Sequence, residues 1–143
     1  MAAHTIRVNG PNGAMREGIC GSAATIKPGM LVYESADGTF NVHASAAGVG
    51  IPYLVHEDAL QGNITSTAYT AGDKIPHIEA VPRGARRLVL VVSGEAIAFG
   101  DKLVSNGDGK FKETTGNPVG VFAIAKEAPG SLSGDTLVEA DFL

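Results

Sequence analysis

The sequence predicts an all-β fold, a barrel or sandwich of many short strands. Three observations predict it. Helical periodicity is nearly absent. Short apolar or alternating runs recur at roughly 8–14 residue intervals, bounded by Gly, Pro, Asn and Asp. Nineteen glycines and seven prolines, spread along 143 residues, supply the turns between them. Strands are expected at 4–8 (HTIRV), 30–35 (MLVYES), 39–44 (TFNVHA), 50–55 (GIPYLV), 74–80 (KIPHIEA) and 87–93 (RLVLVVS). Further strands are expected at 101–105 (DKLVS), 110–113 (KFKE), 119–125 (VGVFAIA) and 136–143 (TLVEADFL). One helical turn is expected in HEDALQG, residues 56–62, with Asp58 as cap and Gly62 as terminator.

The chain repeats itself. KPGMLVYESADGTFNV parallels AFGDKLVSNGDGKFKE: Gly29 matches Gly100, Asp37-Gly38 matches Asp108-Gly109, and Phe40 matches Phe111, each 71 residues apart. Val49-Gly50 likewise matches Val119-Gly120 at a separation of 70. Each half reads as glycine, strand, Asp-Gly hairpin of type I′, strand with an inward Phe. A Gly-Asp-Xaa-apolar signature occurs at Gly72-Asp73, Gly100-Asp101 and Gly134-Asp135. There a glycine takes the corner, the Asp hydrogen-bonds backbone amides just after it, and the residue two positions on points inward.

Composition narrows the function. The apolar content of 44% supports a core, whereas 6% aromatics and no tryptophan disfavour a stacking surface for sugars or bases. A formal charge of −4 disfavours nucleic acid and acidic membranes as partners. No stretch of about 18 apolar residues is present to span a membrane, and the N-terminus lacks the apolar run of a secretory signal, which points to a soluble protein. The single Cys20 excludes an intramolecular disulfide and a multi-cysteine zinc site, and reads as a small buried thiol.

Neither catalytic nor metal chemistry emerges from the motifs, and no cofactor is implied. SNGDGKF has the oxygens of a calcium loop at Asn106 and Asp108, yet it lacks the closing bidentate Glu, so it reads as a hairpin turn. His56, Glu57 and Asp58 are adjacent, but neighbours on a chain point different ways, and they read as solvated turn residues. There is no nucleophile elbow and no phosphate loop leading into a helix. Two features point to partner binding. PRGARRL gathers Arg83, Arg86 and Arg87, guanidinium groups able to grip an acidic surface, although a solvated turn accounts for them as well. Residues 1–17, with Thr5, Ile6, Arg7 and Val8 as their one strand-like run, read as an arm able to add a strand to a neighbour's sheet, ahead of a single domain at 18–143.

The succession EDALQGNIT, AYTAGDKI, VPRGARRLVLVVSGEAIAFGDKLVSNGDGKF and VGVFAIA resembles the head-decoration (capsid cement) proteins of tailed bacteriophages, over roughly residues 18–143. The order and spacing of Glu-Xaa-Xaa-Leu-Gln-Gly, Tyr-Xaa-Xaa-Gly-Asp and Gly-Asp-Xaa-Leu carry the likeness. The resemblance implies a non-enzymatic virion protein with a compact β-barrel or β-tulip-like body and an extended N-terminal arm. It implies a homotrimer on the capsid surface, made in the host cytoplasm, that binds the major capsid protein and stabilises the shell. The arginines of PRGARRL depart from the polar or acidic residue expected after such a turn. From another class, a small-ligand or carbohydrate-binding β-clip module would require a pocket with convergent polar groups.

Overall fold

A computed structural model describes residues 5–21, 25–44, 52–115 and 121–143. The strands in chain order are β1 (Arg7–Asn9), β2 (Ala14–Ile19), β3 (Leu31–Glu34), β4 (Phe40–Val42), β5 (Tyr53–Val55), β6 (Lys74–Ala80) and β7 (Arg86–Val91). They continue as β8 (Ala96–Ile97), β9 (Lys102–Ser105), β10 (Phe111–Thr114), β11 (Val121–Ala125), β12 (Gly130–Ser131) and β13 (Thr136–Phe142). A 3₁₀ turn at Ala59–Gln61 stands where the helical turn was expected; Gly62 closes it at φ 74°, whereas the Asp58 side chain makes no capping bond. Each of the ten expected strands has a counterpart; β2, β8 and β12 were not expected. His4, residues 50–51 and residues 119–120 of the expected strands, with the Val49-Gly50 and Val119-Gly120 match, lie outside the described residues.

Five strands close a barrel in the order β7-β10-β9-β11-β13, because β13 pairs back onto β7 from Thr136↔Val91 to Asp141↔Arg86. The ring is weakest where β10 meets β7, in parallel and through the single pair Phe111↔Val91. A second sheet, β2-β6-β5-β3-β4, curls on itself until Cys20, just after β2, bridges Phe40 at the start of β4. Two apolar cores result. Val89, Val91, Leu103, Phe111, Val138 and Ala140 fill the barrel; Ile26, Val32, Phe40, Val55, Ile75 and Ile78 fill the curled sheet. Leu31 and Leu54 belong to the second sheet but pack into the barrel core, which binds the two halves together. At about 25 cal/mol per Å² of buried apolar surface, such shared side chains each contribute roughly 1.5–3 kcal/mol.

The repeat lands on equivalent hairpins, β3–β4 in the sheet and β9–β10 in the barrel, with Phe40 and Phe111 both buried. Their turns differ from the expected type I′. No described residue other than glycine has positive φ. In the first turn Gly38 N–H donates to Ser35 O (2.9 Å) and Ser35 N–H to Thr39 O (2.9 Å), a three-residue loop closed by Gly38 at φ 82°. The longer loop leaves Asp37 at negative φ, where its carboxylate accepts bonds from Thr39 N–H and the Ser35 and Thr39 hydroxyls. The second turn, 106–110, has positive φ at Gly107 and Gly109 and inserts into the other half: Leu31 N–H donates to Gly109 O at 2.7 Å. A Cβ on Gly109 would lie 2.7 Å from Met30 Cε and 3.1 Å from both Leu31 O and Val42 Cβ.

The Gly-Asp corners also work in the opposite direction to expectation. Asp73 accepts from Thr70 N–H (2.8 Å) and Asp101 from Ala98 N–H (2.7 Å), so each carboxylate closes the turn before its strand. Asp135 instead reaches across to Ser93 N–H (2.9 Å). Ile75 and Leu103, two positions on, are fully buried and Leu137 partly so.

Candidate partner-binding surface and its buried polar joint

The N-terminal segment does not stand away from the body over its described length. β1 lies antiparallel on β7, and β2 lies antiparallel on β6 with Ala14 opposite Ala80 and Ile19 opposite Lys74. Of the expected binding residues there, Thr5, Arg7 and Val8 are exposed, whereas Ile6 is fully buried in the barrel core. One edge of β7 is shared by three segments. Leu88 N–H donates to Ile6 O (2.8 Å), Leu90 N–H to Gly29 O (2.9 Å), and Val92 N–H to Phe111 O (3.0 Å). The strap thus fills the part of the barrel wall that β10 leaves uncovered.

The three arginines expected to form one surface cluster part company. Arg83 sits on an exposed turn that Gly84 makes at φ 84°. Arg86, partly exposed, makes a two-point pair with Asp141 on β13, at 2.7 and 3.1 Å. Arg87 has no exposed surface at all. The alternation of β7 points it inward with Val89 and Val91, so it presents nothing to a partner.

Inside, Arg87 meets Glu79 of β6, equally enclosed. Nε donates to Oε1 (2.8 Å) and Nη2 to Oε2 (2.7 Å); Nη1 donates to Asn9 O (2.7 Å) and Arg86 O (2.9 Å), and Nη2 also to Pro11 O (2.7 Å). All five guanidinium donors are therefore matched. Glu79 also accepts from His56 Nε2 (2.8 Å) and Gly13 N–H (2.7 Å). Burial pushes the Glu79 carboxyl up, but the hydrogen bonds from Arg87, His56 and Gly13 with the Arg87 charge outweigh it and hold the group well below the usual carboxylate range. Glu57 is buried too and accepts Ile6 N–H at 3.0 Å. His56 and Glu57 are thus not the solvated residues expected, because each anchors a separate part of the joint. Their neighbour Tyr69 donates its hydroxyl to His56 O; burial, with Asp58 and Glu57 nearby, pushes its phenol up to about 12.

Chemically this joint is built around a fully matched guanidinium. The His56 imidazole binds Glu79 through Nε2, and the Glu79 carboxylate is shared among Arg87, His56 and Gly13 N–H. Among the described residues, no three His, Cys, Asp or Glu gather as metal ligands. Cys20 is buried, and burial together with Asp73 pushes its thiol up. A cleft of about 210 Å³ runs between barrel and second sheet, lined by Leu31, Leu54, Val81, Phe122, Phe142 and other apolar residues. It lacks the convergent polar side chains a sugar site requires. Among the described residues, large apolar side chains are exposed on the N-terminal strands at Val8, Met15 and Ile19, and elsewhere at Leu60, Ile64, Phe99 and Leu143.

No family model matches the chain, and no curated protein matches it. Among solved structures, its fold is similar to the crystal structure of the head fiber gp8.5 N base of bacteriophage phi29, with a TM-score of 0.58 at 20% sequence identity. The match covers 91% of this chain and 95% of that one.

Proposed function

We infer that this chain is a non-enzymatic structural protein of a phage virion, which binds the outside of the assembled capsid as a homotrimer and stabilises the shell by clamping neighbouring major capsid proteins. The observation that carries this reading is the end-to-end likeness to the base of a phage head fiber, a chain matched over almost its whole length. The architecture is in keeping with it: a double core fastened by a buried polar joint, exposed N-terminal residues Thr5, Arg7, Val8 and Met15, and a further exposed basic residue at Arg83. A trimer needs only weak contacts per subunit, since the first makes the others intramolecular.

The test is co-sedimentation of the full chain with expanded, undecorated capsids of its phage. Saturable binding at micromolar concentration or below is expected, with sedimentation velocity giving a trimer. Arg7→Glu combined with Arg83→Glu, both exposed, should reduce binding about tenfold or more without changing the circular dichroism spectrum. Protein that remains in the supernatant at all concentrations would overturn the reading.

A further inference from the structure

The joint that fastens the N-terminal segment has the properties of a latch. We propose that residues 5–12 form a releasable strap, which lifts from the barrel as a unit about Gly13 while both cores stay folded. Three features of the geometry support this, none of which depends on the virion reading.

First, the strap buries little side chain. Along its exposed run from Thr5 to Asn9, Ile6 is the residue with a buried side chain, and the register of β1 on β7 slips between Arg7 and Asn9. Second, its departure leaves the buried Arg87–Glu79 ion pair intact. Arg87 and Glu79 keep their two mutual hydrogen bonds, His56 stays on Glu79, and Arg87 keeps the Arg86 carbonyl. What the strap withdraws is Ile6 N–H from Glu57, and the carbonyls of Asn9 and Pro11 from Arg87 at the partly buried rim where water can replace them. Both carbonyls sit on one rigid guanidinium fork, so loosening one loosens the other, which makes the release cooperative. Third, Gly13 N–H is bound to Glu79 Oε2, and an added Cβ there would lie within 3 Å of the Ala80 carbonyl carbon. The pivot is therefore held tightly against β6 while the chain ahead of it turns. Release bares the stretch of β7 edge around Leu88 and the slot of Ile6.

Three alternate amides, two on β7 and Val92 just after it, provide the measurement. Leu88 N–H is covered by the strap, Leu90 N–H by Gly29 and Val92 N–H by Phe111. Native-state hydrogen exchange of the full chain should show Leu88 and Ile6 exchanging at least about 100-fold faster than Leu90 and Val92. Low urea should leave the Leu88 rate nearly unchanged, because local opening exposes little surface. Glu57→Gln, which weakens the acceptor of Ile6 N–H, should speed Leu88 about fivefold with Leu90 unchanged. Equal rates and equal urea dependence for Leu88, Leu90 and Val92 would mean that the strap leaves only when the whole body unfolds, and would overturn the proposal.

Discussion

Replacing Arg87 with Met keeps most of the aliphatic volume and removes every donor. Glu79 then remains enclosed with bonds from His56 and Gly13 N–H but no cation. Removing one partner of a buried pair costs about 3–5 kcal/mol, because the other charge stays desolvated. The Asn9 and Pro11 carbonyls lie at the rim and add little, so the loss should be about 3–5 kcal/mol in all. That is a large fraction of the 5–15 kcal/mol typical of a domain, and for a chain near this size it corresponds to roughly 10–17 °C in Tm. Urea unfolding followed by circular dichroism suits a chain without tryptophan. The double variant Arg87→Met/Glu79→Gln removes the stranded charge and should recover about 1–3 kcal/mol of the loss, a sign that simple loss of packing would not give. The pH response should invert as well. In the unaltered protein the Glu79 carboxyl is depressed, so its stabilisation is present above the ordinary carboxylate pKa and fades as pH falls through the folded value. In Arg87→Met burial prevails and the pKa rises, so stability is gained as pH falls from 7 towards 5. A cost below about 1 kcal/mol, or pH slopes of the same sign in both proteins, would refute this account of the joint.

The repeated turns offer a matched comparison. Gly38→Ala and Gly109→Ala impose the same left-handed strain, about 1 kcal/mol, but nothing lies within 4 Å of the Gly38 position while Met30, Leu31 and Val42 crowd Gly109. Thermal or urea unfolding should therefore show about 1 kcal/mol lost at Gly38 and about 2–4 kcal/mol at Gly109; equal losses would mean that the second turn is not a packed joint. Ultraviolet titration should show Tyr69 ionising near 12. Because its folded pKa is raised, its contribution to stability is intact below the ordinary phenol value and is lost as pH rises through about 12; assignment to Tyr69 follows if Tyr69→Phe removes that late step.

Much of the fold was legible because short strands and their turns are written locally. The 71-residue repeat marked both hairpins and both inward phenylalanines, since a hairpin needs its glycine and its first apolar residue at fixed places. β2 escaped because Ala-Met-Arg-Glu-Gly-Ile shows no alternation: five of its six residues are exposed, so burial imposes no period on it. The polar joint was less legible for a different reason. Arg87 shares the parity of Val89 and Val91, a signal that it points inward, yet charge alone suggested the surface. The parity of Glu79 is obscured because, between the pairs Arg16↔Ile78 and Gly18↔Ile75, two residues of β6 stand opposite one of β2. The extra residue lies at Pro76-His77, where proline has no amide for the ladder to lose. This bulge puts Ile75 and Ile78 in one core and turns Glu79 towards Arg87.

That bulge also explains why one segment can belong to both halves. β6 gives its apolar side chains to the second core and Glu79 to the space between the halves, while β7 gives Val89 and Val91 to the barrel and Arg87 to the same space. A paired charge there does what an apolar contact could not: its fork holds two main-chain carbonyls of a segment that buries little of its own surface. Apolar residues at both positions would serve stability as well or better, since buried ion pairs are seldom the most stable filling. What they could not supply is a directional hold on Asn9 and Pro11 that can be made and broken without disturbing either core. On this reasoning, an apolar replacement of the pair, Arg87→Met with Glu79→Met, should leave both cores folded while Leu88 loses its protection from exchange. Retention of that protection would show that Ile6, rather than the ion pair, holds the strap in place.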